Sequence, residues 1–237
     1  MVSSTGDRQC RVLLLDYSVD REEAPLFKSC FPDNCSCKTV YVYYNQEIPS
    51  PDGFTHVIHT GSSASICEEA DYLEDSVQLV RHAVEMGIPQ MGVCYGHQLL
   101  CLALLGRSAV EKCENGMEAG WIDVNMKGTG LRIAGAPVVR VLQSHFDRVN
   151  RIPRSSEGIA FNEHTPFQGF LDEEKLLLGV QFHPEFDREN GNRLFEKSRE
   201  LLVKNGIDVD AVLGSGPSLN AGEVFIGNFL KRRWQFR

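Results

Sequence analysis

Two short stretches hold residues whose types and spacing could do covalent chemistry. The first is Gly92-Val-Cys-Tyr-Gly-His-Gln98. It follows Ile88-Pro-Gln-Met91, which reads as the start of a buried strand. It precedes Leu99-Leu-Cys-Leu-Ala-Leu-Leu105, an apolar run of helical composition. Cys94 therefore stands where a strand turns sharply into a helix, with Gly92 and Gly96 two residues to either side. Such an elbow needs small residues there, because the strand and helix backbones crowd around the nucleophile. The usual occupant is serine in a G-x-S-x-G frame; here the frame is G-x-C-x-G. A thiol at a helix N-terminus feels the positive end of the helix dipole, which favours the thiolate. The second stretch is Leu176-Leu-Leu-Gly-Val-Gln-Phe-His-Pro-Glu185, a buried strand running into His183-Pro184-Glu185. A thiol nucleophile needs a base, and the base needs a group to orient it. His183 fits the first role and Glu185 the second. Two residues apart on extended chain, their side chains project the same way.

Either stretch alone has an ordinary explanation: a buried structural cysteine near a glycine turn, or a strand-end turn. Together, and in this order, they resemble the class I glutamine amidotransferase family of the Cys-His-Glu type. Two shorter segments extend the likeness, His59-Thr-Gly-Ser-Ser-Ala-Ser65 and Gln143-Ser-His-Phe-Asp147. The resemblance runs from about Arg11 to Phe186. Within the family the chain is similar to stand-alone GMP synthase-like glutaminase domains.

The resemblance implies an activity and assigns roles. Cys94 would attack the γ-carboxamide of L-glutamine, and a thioester would form and be hydrolysed. Glutamate and ammonia would be released, with no metal or organic cofactor. Gly61, Ser62 and the Tyr95 N–H would form the oxyanion hole, Ser62 being the better donor of the loop pair. The family's loop usually carries glycine-glycine-proline where this chain has Gly61-Ser62-Ser63. Gln98, one helical turn past Cys94, would bind substrate, as would Ser144 and His145. His145 has no obvious carboxylate partner in the sequence, so His183 is preferred as base. Asp147 would order its loop or help recognise a partner. No phosphate-binding G-x-x-x-x-G-K-[ST] motif is present, so ammonia would go to a separate synthetase subunit. A γ-glutamyl peptidase using the same triad on a γ-glutamyl compound is the nearest rival. A non-catalytic binding protein of the same fold is a further one.

The elements that must position these residues follow from periodicity. Residues 11–16, 38–44 and 54–59 read as strands, with a helix starting at Asp20 between the first two. Residues 71–86 form an amphipathic helix through Leu73, Val77, Val80 and Val84, stopped by Gly87. Strands alternating with helices predict a mostly parallel sheet covered on both faces, with the site at the strands' carboxyl ends. The loop from Thr60, Cys94 and His183 all fall at such ends. After Gly106 the pattern changes to short strands around turns at Asn115-Gly116 and Ala119-Gly120, then strands at 138–143 and 158–162. A helix over 190–205 follows. Residues 207–221 read as irregular and 223–234 as a terminal helix. The fold class expected is α/β: a single flavodoxin-like domain with a mostly parallel central sheet and an additional antiparallel portion. It would span 1–237, its core about 11–205, with 206–237 a C-terminal extension.

Composition narrows the classes. The chain has 237 residues, 42% hydrophobic and 24% charged, which is ordinary for a soluble globular protein. A net charge of −8 argues against a nucleic-acid surface. Lys231-Arg-Arg233 reads as a solvated helix end. No apolar run is long enough to span a bilayer, and Met1 to Arg8 has no signal-peptide core, so a cytoplasmic location is expected. Cys30, Cys35 and Cys37, without a nearby histidine, make an incomplete zinc set and read as reduced loop thiols.

Overall fold

The computed structural model describes residues 9–231. The N-terminal segment 1–8 and residues 232–237, including most of the basic cluster and the end of the expected terminal helix, lie outside the described residues.

The first strand shows how the fold is specified. β1 (Cys10–Asp16) is buried along almost its whole length. Its alternate side chains point to opposite sides of the sheet. Val12 and Leu14 enter one hydrophobic cluster, Leu13 and Leu15 another. A strand apolar on both faces belongs in the middle of a sheet covered twice. β2 (Cys35–Tyr41), β3 (His56–His59) and β4 (Gln90–Val93) lie parallel to it.

The helices cover both faces. α2 (Leu73–Glu85) and α3 (Tyr95–Leu105) close the side of Leu13 and Leu15. α1 (Glu23–Ser29) closes the other through Ala24 and Phe27. α3 is buried from Tyr95 to Ala103, which is why its sequence is apolar all round rather than striped.

The second half extends the same sheet. Short β5 (Val110–Lys112) is followed by β6 (Glu118–Met126), β7 (Val138–His145), β8 (Asp147–Val149), β9 (Glu157–Phe161), β10 (Gly169–Asp172) and β11 (Leu177–Val180). Among the described residues the large sheet has nine strands, ordered β2-β1-β3-β4-β11-β10-β9-β6-β7. β11 returns to pair parallel with β4, and the strands beyond it are antiparallel. The expected α/β architecture is the one observed. No described helix is long and apolar enough to cross a membrane.

Five local expectations are corrected. Ala119-Gly120 is not a turn: both residues lie inside β6, where Gly120 takes φ +129° and stays paired with Gln143. A glycine inside a strand marks an unusual backbone angle as readily as a chain reversal. Residues 42–44 leave the second strand for a 3-10 turn, and the helix expected over 190–205 breaks at Ser198. Cys35 is not a reduced loop thiol. It pairs opposite Cys10 in the β1–β2 register, their Cα atoms 4.4 Å apart, and the two form a disulfide. Finally, the segment after 206 supplies core side chains. Phe225, Ile226 and Phe229 are buried in the cluster that also holds Phe182, with Phe182 and Phe225 in edge contact at 5.0 Å.

Candidate active site

Cys94 sits between the end of β4 and the start of α3 with φ +49° and ψ −104°. That is a strained conformation for any residue with a Cβ. Two glycines let the turn close. A Cβ on Gly92 would lie 2.4 Å from the Gly96 backbone, and one on Gly96 would lie 2.3 Å from the His59 carbonyl oxygen. The elbow is also tied to its surroundings. Cys94 N–H donates to Val180 O at 2.9 Å, and Gly96 N–H donates to Thr60 O at 3.0 Å. Cys94 is thereby fixed relative to β11 on one side and the Thr60 loop on the other.

β11 delivers the other two residues. His183 N–H donates to Leu142 O at 2.9 Å, which anchors the end of this segment on β7. The imidazole Nδ1 lies 2.7 Å from Glu185 Oε1, and the Cys94 sulphur is the ring's other electrostatic neighbour. Nδ1 being taken by the carboxylate, Nε2 is the nitrogen available to the thiol. His183 is 5% exposed and Glu185 4%. Burial works against a charged imidazole, but Glu185 and the Cys94 sulphur outweigh it and hold His183 well above the ordinary histidine range. The arrangement thus favours an imidazolium beside sulphur, with a carboxylate behind it. It can deliver a proton to a leaving nitrogen and later take one from water.

The residues expected to bind substrate fall around the elbow, and several are already engaged. The Gln98 amide donates to Asp147 O at 2.8 Å and to Gln181 Oε1 at 3.2 Å, so it holds the β7–β8 corner against α3. Ser65 Oγ donates to Asp147 Oδ2 at 2.6 Å, which joins the loop after Thr60 to the same corner. Ser144 is half-buried on β7 opposite Ala119. Ser62 Oγ accepts from Ala64 N–H at 3.0 Å and shapes the loop. The Gly61 N–H is directed to the Glu23 carboxyl group. His97 is structural, its Nε2 donating to Phe167 O at 3.1 Å and its ring beside Phe170. Burial pushes it down to about 3.

His145 does have a carboxylate partner. Its Nε2 lies 2.9 Å from Glu118 Oε2, and its Nδ1 lies 3.0 Å from Asp147 O. Both nitrogens are already engaged, and Cys113 Sγ lies 3.8 Å from Nδ1, so the ring is committed to holding this corner. Glu118 also accepts from Asn162 at 2.5 Å and from Gln168 at 2.8 Å. The sequence reading missed Glu118 because the supposed turn at Ala119-Gly120 hid its register. In the β6–β7 pairing it stands directly opposite His145.

Burial opposes the charge on Glu118, but the hydrogen bonds from His145 and Asn162 hold its carboxyl below the usual range. A carboxylate depressed on folding adds stability above its unfolded pKa and loses it as pH falls through the folded value. Glu118→Gln should therefore melt below the parent protein near neutral pH. The gap should narrow once pH drops below about 4.3, the ordinary glutamate value. Melting temperatures of both proteins between pH 3 and 7 check this.

Among the described residues, Glu23, His183 and Glu185 place ligand-type atoms within 4.8 Å of one another. The imidazole Nδ1 of this group is already engaged by Glu185 Oε1.

Comparison with known proteins identifies the family. A family model described as glutamine amidotransferase class-I matches residues 34–200. A glutamine-hydrolysing GMP synthase of Listeria innocua is 36% identical over 173 residues, 73% of this chain and 31% of that protein. The chain thus spans about a third of the length of that relative. A glutamine amidotransferase structure from Thermotoga maritima superposes with a TM-score of 0.78 at 23% identity, covering 95% of this chain and 98% of the other. One from Methylobacillus flagellatus gives 0.76 at 19%, covering 93% and 94%. The strained cysteine elbow, the histidine–carboxylate pair at the end of the adjacent parallel strand and the family match over most of the sequence lead to one assignment: the chain belongs to the class I glutamine amidotransferase family.

Proposed function

We propose that this chain hydrolyses the γ-carboxamide of L-glutamine and passes the ammonia to a separate synthetase. Cys94 thiolate attacks the amide carbon and a tetrahedral oxyanion forms. His183 gives its proton to the nitrogen, the carbon–nitrogen bond breaks, and ammonia leaves a γ-glutamyl thioester on Cys94. Water then attacks the thioester while His183 takes its proton. Glutamate departs and the thiolate is restored. Glu185 keeps the imidazole in one tautomer and stabilises its charged form. Ser62 N–H and Tyr95 N–H supply the oxyanion donors, the Gly61–Ser62 loop being held to the elbow through Thr60 O. Gln98, Ser144 and His145 shape the amino-acid end of the pocket.

The observation that carries the reading is the 2.7 Å His183–Glu185 bond with Cys94 as the ring's further neighbour. The glutamine-hydrolysing relative supports the choice of substrate. The test is release of ammonia and glutamate from L-glutamine by the purified chain, with a panel of γ-glutamyl peptides beside it. Turnover of glutamine in preference to the peptides is expected. Preference for the peptides would replace the substrate and keep the mechanism.

A further inference from the structure

Glu23 is the first residue of α1, and nothing in the mechanism above uses it. The helix start is fixed by buried Asp16 at the end of β1, whose Oδ2 accepts from Ala24 N–H at 3.1 Å. This turns the Glu23 side chain inward. Its stem stays half-exposed, but Oε2 is buried with no hydrogen-bond partner. The carboxyl group fills the space behind Gly61. A Cβ there would meet the two Glu23 oxygens at 3.0 and 3.1 Å and His183 Cε1 at 2.6 Å. Glu23, His183 and Glu185 come within 4.8 Å of one another, and Glu185 Oε2 is likewise buried without a partner. One imidazole is thus flanked by two carboxyl groups, each with an unsatisfied oxygen.

We propose that Glu23 is a second acidic partner of His183, a positioning residue that holds the oxyanion loop through Gly61 and sets the charge against which the imidazole titrates. This rests on the triad reading given above. Two like charges so close and so buried cannot both ionise at low cost, so one carboxyl group keeps its proton. Glu185 makes the direct bond to the imidazole, and Glu23 is the group that holds the proton. The ionisable groups facing Glu23 are Asp16 from β1 and His183 and Glu185 from the segment after β11, while the 60–65 loop presents the Gly61 N–H. Burial, then Glu185 and Asp16, against the opposing pull of His183, push Glu23 up to about 8. Below that pH it is a neutral group filling the loop's back wall. Above it, His183 faces two anions and keeps its own proton longer.

The test reads His183 directly and does not depend on turnover. NMR of the full chain labelled with 13C-histidine, the His183 Cε1 signal being assigned with His183→Gln, is followed from pH 5.5 to 10. In the parent protein the signal should move in two steps, one of them near pH 8. In Glu23→Gln, which keeps size and hydrogen-bonding capacity, that step should vanish and the remaining one should lie at lower pH. A Glu23→Gln titration superimposable on the parent's overturns the proposal, whatever the substrate proves to be. Glu23→Ala, which also empties the space behind Gly61, should lower kcat about ten-fold more than it changes KM, the mark of a group acting on the transition state rather than on binding. Failure of both proteins to turn over glutamine would count against the functional reading alone.

Discussion

Cys94→Ala is expected to lower glutamine turnover by a factor of about 10⁴ or more and to leave the fold intact. The chemical half of the expectation follows from the thiol being the proposed site of the covalent intermediate. Without it, the donors of the oxyanion hole and the binding contacts retain a modest advantage over water and no more. The structural half follows from size. The side chain is 3% exposed and loses a single heavy atom, while alanine accepts the same backbone as cysteine at φ +49°. A deletion of this kind costs about 1 kcal/mol. Ammonia release and a thermal melt, measured together, separate the two effects. Retained hydrolysis would move the nucleophile elsewhere; a collapsed melt would mean that the thiol is mainly a packing group.

Gly96→Ala is expected to do the reverse and attack the fold. The added Cβ would meet the His59 carbonyl oxygen at 2.3 Å and His59 Cβ at 2.7 Å. Those atoms belong to the end of β3, in the middle of the parallel sheet, and cannot swing aside. The strand and helix of the elbow must separate, which breaks the Gly96-to-Thr60 hydrogen bond and with it the seat of the oxyanion loop. The cost should exceed about 4 kcal/mol, enough to remove most of a small domain's stability. Gly53→Ala is the control. Nothing lies within 4 Å of its added Cβ, and only the backbone angle of φ +82° opposes the change. That strain is worth about 1–2 kcal/mol. Denaturant unfolding of the two variants should differ accordingly. Similar midpoints for both would show that the elbow can open without loss.

The parts of this protein legible in its sequence are those written locally. The G-x-C-x-G frame forces an elbow because a few consecutive residues must pass through one crowded turn. His183 and Glu185 share a direction because extended chain has a period of two. β1 reads as a doubly buried strand because its run is apolar on both faces, and this, with the strand–helix alternation, carries the parallel half of the sheet. The sequence alone therefore determined the family, the fold class and the candidate triad.

What only the tertiary structure decided are pairings between distant segments. Glu118 meets His145 through a strand register that the glycine at 120 disguised. Cys10 meets Cys35 because two parallel strands lie side by side. Gln98 is spent on Asp147 O and Gln181, and the residues after 206 are core because Phe225 and Phe229 reach Phe182's cluster. Glu23 lies in the first turn of a helix expected from Asp20, and it became a neighbour of His183 only once Asp16 had set that helix's start. The physical reason is common to all of them. Local propensity and periodicity constrain which way a side chain faces, but which partner it then meets depends on register and on where loops return, and those are settled by burial summed over the whole molecule.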